Sequence, residues 1–125
     1  MDFVVGKGRC KVFFEVKEVG ADIVVIITGG KVHIGAMGLS VIVPSIIKPG
    51  ENTITSYMLT VPAHKEEEIV VPIARKLARG TEKTCLVVVG IHLDDITAKE
   101  IEEIVENCNI GVEKINENFT KQKTS

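Results

Sequence analysis

Aromatic side chains are scarce in this chain of 125 residues, which has four Phe, one Tyr and no Trp. So few ring faces exclude a platform for stacking bases. A surplus of positive charge is missing as well. Fifteen Lys and Arg stand against 17 Asp and Glu, a net charge of −2, and no basic stripe exists to neutralise phosphates. Nucleic acid is therefore not an expected partner. Long apolar runs are missing too. The longest stretch without Asp, Glu, Lys or Arg covers residues 32–47 and is broken by Gly, His and Pro, short of the roughly 20 residues a membrane-spanning helix needs. No membrane partner is expected. The opening Met1-Asp2-Phe3 has no basic segment, so no signal peptide is expected. Cys10, Cys85 and Cys108 are odd in number, far apart and set in apolar or helical sequence. They read as reduced thiols of a cytoplasmic protein rather than a disulfide frame or a zinc knuckle.

What the chain does have is β-branched residues. Ile and Val number 34 against five Leu. Such side chains are stiff at χ1 and fit a pleated surface, so a sheet should carry most of the core. Apolar residues make up 45% of the chain, charged residues 26%, and mean hydropathy is +0.24, which excludes intrinsic disorder. At 13.6 kDa the chain has the length of a single domain, and roughly two-thirds of its unfolded surface can be buried. That domain is expected over residues 1–125, with an ordered core over 9–119 and a polar, frayed tail over 120–125.

Residues 9–19 alternate Cys10, Val12, Phe14 and Val16 with Lys11, Glu15 and Lys17, as in a half-exposed strand. After a turn at Gly20-Ala21-Asp22, residues 23–27 are continuously apolar, as in a central strand. Gly29-Gly30 reads as a hairpin into a third strand over 32–43, so the first half resembles an antiparallel meander. Pro44, Pro49 and Gly50 mark a loop, and residues 53–61 resume strand pattern with Ile54, Tyr57, Leu59 and Val61 as inward candidates. Glu66-Glu67-Glu68 then read as the solvated start of a helix bearing Ile69, Ile73 and Leu77, with Gly80 as terminator and Pro72 as the flaw. Residues 84–91 form another buried strand. Thr97 and Glu100 form a capping box ahead of a stripe of Ile101, Ile104, Val105, Cys108, Val112 and Ile115, with Gly111 a candidate break. The sum is an α+β, two-layer fold: a mostly antiparallel sheet of about five strands with two helices chiefly on one face. The uncovered face predicts self-association.

The three histidines, His33, His64 and His92, all sit where strands hand over to loops or helices. Ligand sites concentrate there, because polar side chains escape the core while being held by it. His64 and His92 with Asp94 would suit a transition metal. Against this, no pair of histidines has helical ligand spacing, and a cap satisfied by backbone is the commoner role. Gly29, Gly30, Gly35 and Gly38 with Lys31 could present amides and charge to a phosphate. They do not have P-loop order, and a hairpin turn together with a place where a strand bends or meets another backbone closely explains glycines in strand sequence better. Nucleophilic catalysis has no support: Cys85 and Cys108 fall in apolar stripes, and no Ser lies in a nucleophile elbow.

Taken in order, Thr28-Gly29-Gly30…His33-Ile34-Gly35-Ala36, then His64-Lys65-Glu66-Glu67, then Val88-Val89-Gly90-Ile91-His92-Leu93-Asp94 and an Ile/Glu-rich terminal helix resemble the LpdD-like proteins. These are small subunits described as prenylated-flavin chaperones associated with UbiD-type hydroxyarylic acid decarboxylases. The resemblance implies a fold like the small proteasome-assembly chaperones, commonly dimeric. It also implies an accessory role in handling prenylated FMN or FMN, or in assisting a UbiD-type decarboxylase subunit, without catalysis of its own. The matching positions are Gly29, Gly30, His33, Gly35, His64 and His92, and Lys65 joins them as a phosphate contact on its charge. Met37, Tyr57 and Met58 are the candidate apolar contacts for an isoalloxazine ring. Two other readings stand beside this one. One is a small metal-dependent hydrolase or lyase using His64, His92 and Asp94. The other is a protein-assembly module with no ligand.

Overall fold

The computed structural model describes residues 1–62 and 66–124. Its elements in chain order are β1 (Asp2–Val5), a 3₁₀ turn (Gly8–Cys10), β2 (Val12–Val19), β3 (Asp22–Gly30), β4 (Ala36–Pro44), β5 (Asn52–Thr60), α1 (Glu67–Thr81), β6 (Cys85–His92) and α2 (Ala98–Thr124). The strands form one mixed sheet in the order β1-β2-β3-β6-β4-β5. The α+β class and the two helices are as expected, and every strand pairing except β3 with β6 is antiparallel.

The expected meander is wrong in one place. Gly29-Gly30 make no hairpin. β6 inserts between β3 and β4 and runs parallel to β3, with Val25 opposite Val87 and Gly30 opposite His92. The two most continuously apolar stretches of the chain thus lie side by side at the centre, where both their faces can be shielded. β4 begins at Ala36, and residues 31–35 cross from β3 over β6 to reach it. A sixth strand, β1, adds to the five expected by pairing with β2.

Strand alternation sends one set of side chains to the helices. Val12, Phe14, Val16, Ile23, Val25, Ile27, Val87 and Val89 are buried with Val70, Ile73, Ala74 and Leu77 of α1 and Ile104, Cys108, Val112, Ile115 and Phe119 of α2. Gly38 lies against Val70, and Gly111 lies against the Phe14 ring, which stacks on Phe3 at 4.9 Å. Gly111 is therefore a point of close approach and not a break, and α2 continues to Thr124. Likewise Gly80 is inside α1, against Asn116, while the helix ends on Glu82 in the left-handed region (φ 57°). Pro72 sits within the same helix. The capping box forms as expected: the Glu100 N–H donates to Thr97 Oγ1 at 3.1 Å, and the Thr97 N–H to Glu100 Oε1 at 3.1 Å.

Residues Ile54, Tyr57, Leu59 and Val61 are not a common inward set. Even and odd positions of a strand face opposite ways, so Ile54 faces the helices with Met58, while Tyr57 and Leu59 are exposed on the other side.

Candidate functional site

The polar side chains converge where the 31–35 crossing passes over β6. Backbone contact this close requires glycine. A Cβ on Gly90 would fall 1.5 Å from the His33 carbonyl oxygen, and one on Gly30 (φ 61°) would fall 2.1 Å from that of His92. The crossing is tied to β6 by Lys31 N–H to the His92 carbonyl and Gly35 N–H to the Val89 carbonyl, both at 2.9 Å. The amides of Lys31 and Gly35 are thereby committed to the sheet. The glycines serve backbone approach, one part of what the sequence pattern favoured, while the hairpin it paired with this is absent, and these two amides form no phosphate cradle.

His33 is held over this crossing. Its Nδ1 lies 3.2 Å from the Lys31 carbonyl oxygen, and its Nε2 lies 3.1 Å from Glu66 Oε1. Both ring nitrogens therefore face oxygen acceptors. Glu66 is only 8% exposed, which corrects its reading as part of a solvated helix start. Its Oε1 also accepts the Ile91 N–H at 3.2 Å, a donor beyond the last β4 residue paired with β6. The carboxylate thus stands in for a missing strand neighbour, as buried amides require. Gly35 makes the room, because a Cβ there would sit 2.5 Å from the Glu66 carboxylate.

A second, exposed group adjoins the first. The His92 ring meets the His33 ring edge-on, centroids 6.2 Å apart. His92 Nε2 lies 3.2 Å from Asp94 Oδ1, and Lys31 Nζ lies 3.1 Å from Asp94 Oδ2. Lys31, then His92, hold the Asp94 carboxyl below the ordinary carboxylate range. Arg9 anchors the neighbouring turn, donating from Nη2 to the Asp94 carbonyl at 2.8 Å and pairing with Glu100. Arg9 first, then the Thr97 amide, bring the Glu100 carboxyl down to about 2. The order across the site is Glu66, His33, His92, Asp94, Lys31: two histidines side by side between two carboxylates, with a lysine at the exposed end that could meet a small anion.

Of the residues singled out from sequence, Gly29, Gly30, His33, Gly35, His92 and Asp94 come together here. His64 and Lys65 lie outside the described residues. Glu66 and Gly90 were missed as site residues. The only sequence signal for them was a carboxylate directly after His64-Lys65 and a glycine interrupting an apolar strand. Among the described residues, no group of three or more His, Cys, Asp or Glu side chains could hold a metal ion. The three thiols are buried. Burial pushes Cys85 up to about 11 and Cys108 up to about 12, and burial followed by the Glu103 carboxylate pushes Cys10 to about 11. A thiol so far from its thiolate is a poor nucleophile.

Fold and site together define a two-layer α+β protein with a polar cluster at one end of an open, apolar sheet face. A family model for the prenylated flavin chaperone LpdD-like domain matches residues 6–120, and the chain belongs to that family. No curated protein matches it. Among solved structures, it is similar to a chain in the crystal structure of a novel chaperone complex for yeast 20S proteasome assembly. The TM-score is 0.48 and the identity 9%, over 99% of this chain and 94% of that one. No described helix is long and apolar enough to cross a membrane.

Proposed function

We propose that the protein is a cytoplasmic, homodimeric accessory chaperone that binds or hands on prenylated FMN or FMN for a UbiD-type decarboxylase, without catalysis of its own. The observation that carries this reading is the family match across residues 6–120. The geometry supports it with a place for each part of such a ligand. Lys31 and His92 supply cationic or hydrogen-donating groups for a phosphate, which would take over both from Asp94. Exposed Val32 and Ile34 flank His33, and Val61, whose N–H donates to the Gly35 carbonyl at 2.8 Å, adds a third apolar side chain. These aliphatic side chains are the contacts for the ring system. With a single Tyr and no Trp, ring stacking within one chain is replaced by aliphatic packing. Met58 faces the helices and drops out of the contact set.

The test is titration of purified protein with FMN and with prenylated FMN, followed by flavin fluorescence and by native mass spectrometry. Lys31→Ala and His92→Ala should weaken binding at least several-fold. Absence of any bound flavin at 100-fold molar excess of either cofactor would overturn the reading.

A further inference from the structure

The sheet face opposite the helices carries two apolar rows. Register places Glu15, Ile26, Val88, Met37 and Leu59 in one row across β2, β3, β6, β4 and β5. The next row along the same strands is Lys17, Val24, Leu86, Leu39 and Tyr57. From β2 to β5 each row has one charged residue, at the β2 end, and the two charges are opposite in sign; β1 extends the first row with a second acid, Asp2, opposite Glu15. The central members are half-buried, and Tyr57 and Leu59 are 61% and 69% exposed. Among the described residues, both helices contact the other side of the sheet, as Val70 against Gly38 and Phe14 against Gly111 show. Parallel strand pairs such as β3 and β6 are otherwise found covered on both faces.

We infer that this face is covered by the same face of a second copy of the chain, about a two-fold axis that runs across the strands between the two rows. The inference rests on the homodimer of the proposed function and specifies its interface. Such an axis lays each strand over its own copy and sets one row upon the other. Glu15 then meets Lys17 of the partner subunit, Ile26 meets the partner's Val24, Val88 the partner's Leu86, Met37 the partner's Leu39, and Leu59 the partner's Tyr57. Every apolar residue finds an apolar one, and the two charge pairs are reciprocal, as an isologous contact requires. A two-fold axis along the strands would lack this match, because it would put the Glu15 and Lys17 edge over apolar β5. The size also fits. Five strands of eight or nine residues give a face of about 24 by 27 Å, or about 650 Å² before side-chain relief. A stable interface buries about 800 Å² on each partner. The product is a two-sheet sandwich with helices outside, which leaves the His33 cluster at its rim.

Sedimentation equilibrium of the full chain decides the matter. Wild type should show about twice the 13.6 kDa chain mass at micromolar concentration. Lys17→Glu sets Glu against Glu twice, and Glu15→Lys sets Lys against Lys twice, so each single variant should raise the dimer Kd about tenfold or more. The double variant Glu15→Lys/Lys17→Glu should restore dimerisation, and an equimolar mixture of the two single variants should form a mixed dimer. Leu59→Asp, at an exposed position, should be monomeric with an unchanged circular dichroism spectrum. A dimer indifferent to all these changes would overturn this interface and leave the homodimer standing. A wild-type monomer at 100 μM would overturn both, while flavin binding is read separately by titration.

Discussion

Replacing Gly90 by Ala should destabilise the protein, although the usual effect of that change has the opposite sign. Gly90 does not adopt a positive φ. At such a position Ala normally stabilises by about 0.4–1 kcal/mol, because it restricts the unfolded chain. Here the new Cβ would lie 1.5 Å from the His33 carbonyl oxygen, against an ordinary carbon–oxygen contact of about 3.3 Å. The crossing must therefore rise by close to 2 Å. That movement breaks the two 2.9 Å hydrogen bonds by which Lys31 and Gly35 tie it to β6, at about 1 kcal/mol each. It also draws His33 away from Glu66. Offset by the unfolded-state gain, the loss of the two hydrogen bonds leaves a net cost of about 1–1.5 kcal/mol. For a chain of 125 residues, an unfolding entropy of about 2.1 cal/mol/K per residue turns this into a Tm lower by about 5 °C. Thermal and urea unfolding followed by circular dichroism measure it. Gly20→Ala is the control, since a Cβ there meets open space and only its φ of 60° is strained. A Gly90→Ala protein as stable as wild type, or more so, would refute the placement of residues 31–35 over β6.

Four further outcomes follow from the packing and the charges. Gly111→Ala should also destabilise, by about 1–2 kcal/mol in urea unfolding, because the propensity gain of about 1 kcal/mol is outweighed by overpacking of a Cβ 2.1 Å from the Phe14 ring; Phe14→Leu in the same chain should relieve part of it. Thr97→Ala removes the acceptor of the Glu100 N–H and should cost about 1 kcal/mol in the same assay. The Glu100 carboxyl is depressed to about 2 by Arg9, so its contribution is complete above its ordinary value and disappears as pH falls towards 2. The stability gap between wild type and Glu100→Gln should accordingly be widest above pH 5 and close near pH 2; a gap independent of pH would count against the pair. Finally, all three thiols should resist a disulfide reagent at pH 8 in the native protein and react once it is unfolded; rapid native labelling of any of them would contradict their burial.

Local chemistry was legible without the structure. The Thr97 and Glu100 cap, the turn at Gly20, the alternation of β2 and the apolar run of β6 each depend on neighbours within a few residues, and side-chain period and hydrogen-bonding capacity declare them directly. The abundance of Ile and Val announced a sheet, and the three junction histidines announced where polar chemistry could gather. The helix stripe of α2 was legible for the same reason, although its Gly111 was misread, because a glycine's purpose lies in what packs against it.

The order of the strands belonged to tertiary structure alone. Gly29-Gly30 has every local mark of a hairpin, yet β6, more than fifty residues later in the chain, takes the place beside β3, because two fully apolar strands are best shielded at the centre of the sheet. That insertion forces residues 31–35 across β6, and from this crossing follow the contact of Gly90 with His33, the orphaned Ile91 amide and the burial of Glu66 that satisfies it. No periodicity encodes a carboxylate's distance from an amide 25 residues away. The sequence by itself determined the element types and the supply of site residues. The long-range pairing of strands determined which of them meet, since contact between distant positions depends on burial summed over the whole sheet and not on any local pattern.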